Sequence, residues 1–199
     1  MRPLVFWTLA AATLAAQPLS QGERDRAMSH MHATRKQFLD AIEGLSVAQW
    51  TFKPAPDRWS VAEVAEHIAI SEETISQLAV QKAMQSPLLT AEQKEEQKKK
   101  DDSVIKMIPD RSQRFQAPEF LRPTNRWPNR EALTAAFKAT RGKNIAYIEK
   151  TTDELRSHAV PHPVMGPTDA YQWFLLMSAH AERHVAQIQE VKADPKFPK

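Results

Sequence analysis

Four stretches of the chain repeat apolar residues at intervals of three and four, the spacing that gathers them on one face of an α-helix. The first runs from Ser20 to about Gly44 and places Met28, Met31, Arg35, Phe38, Leu39 and Ile42 in that register. Ser20 and Glu23 read as its capping box and Gly44 as its end. The second opens at Trp59-Ser60, where Ser60 pairs with Glu63 in another capping box and Trp59 can staple onto Val64. Val61, Val64, Ile68, Ile75 and Leu78 then form a stripe reaching roughly Gln85, with His67 and Ser71 riding beside it. A third helix opens near Asn129 and passes through Leu133, Phe137, Thr140, Asn144, Tyr147 and Ile148 before Thr151-Thr152. The fourth covers about Thr168 to Ala193 and aligns Trp173, Met177, His180, His184, Ile188 and Val191 on one face.

The segments between these helices resist helical extension. Lys53-Pro54-Ala55-Pro56-Asp57 interrupts the chain before Trp59, because each proline removes a donor and crowds the preceding turn. Residues 158–167 hold three prolines and Gly166 and read as loop. Residues 87–126 combine a charge-dense run, Glu92 to Asp102, with prolines at 109, 118 and 123. A connection of this length is what joining two parallel neighbours of a four-helix bundle requires. Its charged run reads as a solvated helix extension or a mobile loop, with a lid over a site as the functional alternative. Few glycines and long stretches of Ala, Glu, Lys, Gln and Leu agree with an all-α class.

Composition adds three points. Met-Arg-Pro followed by an uncharged apolar run from Leu4 to Ala16 has the layout of a secretory leader, so residues 1–19 are expected to be a signal peptide and 20–199 the domain. An uncleaved N-terminal membrane anchor is the alternative, and the expected location is periplasmic or secreted. The net charge of +3, to which the leader contributes Arg2 alone, leaves no basic patch that would imply nucleic acid. With no cysteine, disulfides, thiolate ligands and a cysteine nucleophile are excluded together.

The remaining chemistry lies in histidine. His180 and His184, four apart on the fourth helix, present both imidazoles on one side within reach of a single ion. They share the apolar register of Trp173, Met177, Ile188 and Val191, where unpaired imidazoles are costly. A metal satisfies them, and His67 on the inward side of the second helix can join by packing. Three neutral imidazoles leave coordination positions for water or substrate, which is the ligand set of a catalytic zinc site; nickel, iron and manganese also accept it.

Trp59-Ser60-Val61-Ala62-Glu63-Val64-Ala65-Glu66-His67-Ile68, with His180-Ala181-Glu182-Arg183-His184-Val185-Ala186-Gln187-Ile188 downstream and Trp50-Thr51-Phe52-Lys53-Pro54 upstream, resembles the DinB/YfiT-like superfamily. The resemblance spans about residues 24 to 192. It implies a four-helix bundle of up-down-down-up topology with one divalent metal held by His67, His180 and His184. It further implies a metal-dependent hydrolase, or a transferase or isomerase using thiols such as bacillithiol or mycothiol. The leader and the 87–126 crossover between helices two and three depart from the usual pattern. An oxidising compartment disfavours a thiol cosubstrate, which moves the expectation toward hydrolysis by metal-bound water on a small molecule. A non-catalytic metal- or ligand-binding, stress-associated module is the rival class, and the oligomeric state is left open between monomer and homodimer.

No general base is identified. Gln187, three residues after His184, points either toward the metal or along the bundle edge. Glu66 and Glu182 adjoin ligands in sequence but lie on other helix faces, so solvated roles are expected. His30, His32, His158 and His162 read as surface or loop residues. Met28, Met31 and Met177 read as core fillers, and Trp50 and Trp59 as packing for the proline connection.

Overall fold

A computed structural model describes residues 18–199, and the apolar run assigned to export lies outside the described residues. Four long helices build the protein: α1 (Gln21–Ile42), α3 (Val61–Gln77), α6 (Arg130–Lys150) and α7 (Ala170–Lys192). Both α1 and α3 pack against α6 and α7, so each helix has two lateral neighbours and the fold is a four-helix bundle. The short α2 (Val47–Thr51) precedes the proline connection. No described helix is long and apolar enough to cross a membrane.

The expected capping boxes form. Ser60 Oγ accepts the Glu63 amide at 3.2 Å while Glu63 accepts the Ser60 amide at 2.7 Å, which starts α3 and sets His67 in its second turn. Trp59 and Val64 share one apolar cluster. Beyond Gln77 the chain stays helical as expected to Gln85, but through a π-turn at Leu78–Lys82 and a 3₁₀ turn at Ala83–Gln85. The fourth expected helix begins at Ala170 rather than Thr168, because Asp169 caps it in a reciprocal box with Gln172.

Two segments depart from expectation. Residues 158–167 do not remain loop: β1 (Ala159–His162) and β2 (Gly166–Asp169) pair as an antiparallel hairpin, so the all-α bundle carries one two-stranded ribbon. Pro161 faces Pro167, and the Ala170 amide bonds the His158 carbonyl at 3.1 Å. Counting from that bond, the proline pair falls at a non-hydrogen-bonded step of the ladder, where missing N–H groups leave nothing unsatisfied. The charged run is a mostly exposed helical extension, as expected, but it is not wholly solvated. It folds as α4 (Ala91–Lys98) and α5 (Asp101–Met107), and buries Gln97, Asp101 and Val104. Asp101 is drawn inward by Arg156, whose Nη1 and Nη2 donate to it at 2.9 and 2.5 Å while Nε reaches Glu23 at 2.8 Å and Nη1 reaches Asp169 at 3.0 Å.

The core divides into two apolar clusters separated by a polar layer. Met31, Ile75, Ile148 and Phe174 belong to one, and Phe38, Ile68, Phe137 and Ile188 to the other. Between them along the helices, Arg141 is fully buried and grips Glu72 through two bonds of 2.5 and 2.7 Å. Its Nη1 also donates to the Met31 carbonyl and to Thr34 Oγ1, both at 2.7 Å, so one guanidinium ties α6 to α3 and α1. Removing one member of such a pair strands the other charge, whereas replacing both with apolar residues does not. Glu72→Leu is therefore expected to cost about 3–5 kcal/mol in urea unfolding. The double variant Glu72→Leu/Arg141→Met should recover most of that loss, and a double variant no better than the single would contradict this account.

Candidate metal centre

The packing of α3 against α7 brings the expected histidines together. One nitrogen from each of His67, His180 and His184 lies within 4.8 Å of the others. Ring centroids are 5.0 Å apart for His67 and His180, and 4.4 Å for both His67–His184 and His180–His184. His67 is buried, and the other two keep partial exposure. Trp59 covers the His67 ring at 5.0 Å.

The outward nitrogens identify the inward ones. His67 Nδ1 lies 2.8 Å from the Leu121 carbonyl, which can only accept, so that nitrogen carries the proton. His184 Nδ1 lies 2.8 Å from Gln187 Oε1, and Arg111 donates to the same oxygen at 3.4 Å, which fixes that amide's orientation. Both Nε2 atoms are then bare lone pairs, and they face each other at 3.2 Å. Two acceptors at hydrogen-bond distance with no proton between them repel. A cation between them removes the conflict, and two nitrogens on one tetrahedral zinc would stand about 3.3 Å apart. The donor set fits a divalent ion.

Charge and burial keep these rings neutral. Burial lowers the pKa of His67, with the Leu121 carbonyl opposing it in part. His184 is pushed down to about 3 by burial first and by His67 next. His180 falls well below the ordinary value through burial, then through His184 and His67. Neutral imidazole is the form that ligates metal.

Residues around the histidines include several without a sequence signal. Glu66 is buried rather than solvated: its Oε1 accepts the Thr124 and Arg126 amides at 2.9 and 2.8 Å, and its Oε2 the Asn125 amide at 3.1 Å. Arg183 is also buried, and its guanidinium donates to the carbonyls of Ile108, Asp110 and Gln113. Arg111 holds Glu190 through bonds of 2.6 and 2.8 Å. The covering segment is thus residues 108–126, not the Glu92–Asp102 run. A backbone carbonyl such as that of Leu121 has no residue signature, and Glu66 resembles any helical glutamate until its loop is in place. Gln187 orients His184 rather than marking the bundle edge, while Glu182 stays half-exposed.

Other histidines remain outside the cluster. His158 Nδ1 is bonded to the Ser86 carbonyl at 2.7 Å, and His162 accepts the Val164 and Met165 amides in the hairpin turn at 3.2 Å each. His30 is half-exposed and His32 exposed, whereas Met31 and Met177 are buried core residues as expected.

Comparison with known proteins bears on the family and the fold. The sequence model of the DinB superfamily matches residues 30–188. The chain belongs to the DinB superfamily. It is similar to the uncharacterized protein YuaE of Bacillus subtilis strain 168, with 24% identity over 165 residues, covering 83% of this chain and 96% of that protein. Among solved structures it is similar to YfiT from Bacillus subtilis, described as a probable metal-dependent hydrolase with an unusual four-helix bundle topology. That match has a TM-score of 0.54 at 14% identity, and covers 88% of this chain and 89% of that one. For this DinB-superfamily chain the likeness establishes the bundle.

The depressed imidazoles have a measurable consequence in the metal-free protein. An unfolded chain takes up protons on these histidines near the ordinary value of 6.5, whereas the folded cluster refuses them. Stability is complete above that value and declines as pH falls toward the folded values. The urea midpoint of chelator-treated protein is expected to drop between about pH 7 and pH 5.5, and to drop less in His184→Gln. Equal slopes in the two proteins would contradict the assignment.

Proposed function

We propose that this chain is a metal-dependent, hydrolase-like enzyme whose single divalent ion is held by His67, His180 and His184. The observation that carries the reading is the 3.2 Å approach of two unprotonated Nε2 atoms, with a third imidazole closing the group. Bound on these three nitrogens with positions left open, a divalent ion would supply Lewis acidity toward water and toward a carbonyl or phosphoryl oxygen of a small-molecule substrate. Leu121 and Gln187 hold the rings, as outer partners do in such sites. Trp59 shields His67 from solvent. Zinc, nickel, iron and manganese all suit the set. The secretory layout of residues 1–19 favours export, and an oxidising compartment would favour hydrolysis over thiol transfer.

A second reading draws on the carboxylates. Glu66 is committed to the 124–126 amides and Glu190 to Arg111, so neither is free to act as a general base beside the histidines. That favours a non-catalytic metal- or ligand-binding module.

Elemental analysis of protein purified without added metal separates the claims. About one divalent ion per chain is expected in the wild type, and loss of at least tenfold in affinity in His67→Ala and His184→Ala. Metal-loaded protein should turn over members of an ester, amide and phosphoester panel, lose that activity on chelation and regain it on reloading. Full loading without turnover would support the binding module, and heat released on titrating small thiols into the loaded protein would redirect the assignment to thiol transfer. Full metal retention by both alanine variants would overturn the site.

A further inference from the structure

The residues immediately preceding two of the three histidines both grip the crossover. Arg183, before His184, bonds the carbonyls of Ile108, Asp110 and Gln113. Glu66, before His67, receives three successive amides, Thr124, Asn125 and Arg126, on its two oxygens. Three consecutive N–H groups converge on one carboxylate only where the chain turns sharply, and Asn125 supplies that turn at φ 59°. Held by these anchors, the crossover delivers the Leu121 carbonyl to His67 Nδ1 and Arg111 to Gln187. Neighbours on a helix diverge by about 100°, so Glu66 does not share the His67 direction. Its influence on His67 has to pass through the loop it holds.

We propose that Glu66 is a positioning residue for the metal centre: by holding Thr124–Arg126 it seats the Leu121 carbonyl on His67 Nδ1, and so keeps the bare Nε2 turned toward His180 and His184. This rests on the three-histidine reading. Without that carbonyl, His67 is free to place its proton on Nε2 or to rotate away, and either change removes a ligand. Coupling between two events is reciprocal, so an ion that needs the seated loop must in turn steady it. A Glu66 that only stabilised the fold would lower unfolding stability and leave the metal affinity of the folded protein untouched.

The test uses the full chain stripped of metal and reloaded with zinc or cobalt(II). Zinc affinity is measured by chelator competition, the cobalt spectrum reports ligand geometry, and amide exchange is followed at Leu121, Arg122, Thr124, Asn125 and Arg126. In the wild type, zinc is expected to slow exchange at Thr124, Asn125 and Arg126. Glu66→Ala should weaken zinc binding roughly ten- to hundredfold, erase that zinc-dependent protection and change the cobalt absorption. Glu66→Gln retains an oxygen for the two bonds now made by Oε1 and loses the third, so a several-fold weakening is expected. Wild-type zinc affinity in folded Glu66→Gln and Glu66→Ala, or wild-type exchange indifferent to zinc, overturns the proposal; should the alanine variant fail to fold, Glu66→Gln decides alone. Wild-type protein that takes up neither ion overturns the three-histidine reading itself, and this one with it.

Discussion

Neutral imidazoles whose lone pairs converge repel one another, and burial denies them the protons that would turn repulsion into hydrogen bonds. The bundle maintains this arrangement between α3 and α7, where His67 and His184 meet nitrogen to nitrogen. Much of the surrounding structure follows from sustaining it. The outward nitrogens of His67 and His184 are bonded to acceptors, their inward ones are left bare, and the helices bearing them begin at reciprocal caps that fix their registers.

Three buried guanidiniums organise the remainder by different means. Arg141 joins three bundle helices through one carboxylate, one hydroxyl and one backbone carbonyl. Arg156 gathers Glu23, Asp101 and Asp169, and its guanidinium carbon stands 3.9 Å from the Tyr171 ring centroid, which docks the start of the crossover against the first turn of α7. Arg183 fastens the later part of the same crossover using carbonyls alone. The planar, multiply donating fork of arginine suits all three sites, and lysine would not replace it. The crossover is therefore attached at several points along its length and belongs to the folded body.

How much of this was legible in the sequence depended on the range of the interaction. The helices were readable because apolar spacing and capping boxes are local, and Ser60-Glu63 announces the start of α3 in four residues. The histidine pair was readable for the same reason, while His67 needed the likeness to a family to place it beside His184, 117 positions away. Glu66 was misread because its partners are backbone amides 58–60 positions downstream, which no side-chain pattern reveals. Within the charged run, the inward turn of Asp101 has no local sign, because its partner Arg156 lies 55 residues further on. The hairpin was missed because its prolines argue against a strand unless they face each other at an unbonded step.

Those long separations also set the order of events when the chain is made. Ribosomes deliver residues in sequence, and α3 with His67 emerges well before the partners that complete its surroundings. Leu121 follows 54 residues later and His184 a further 63, making 117 in all. An ion held as proposed could not be captured by the nascent segment bearing His67. It would be acquired only after α7 has docked, from whichever compartment holds the finished chain, so that the place where folding ends, rather than intrinsic preference alone, would select the metal on offer.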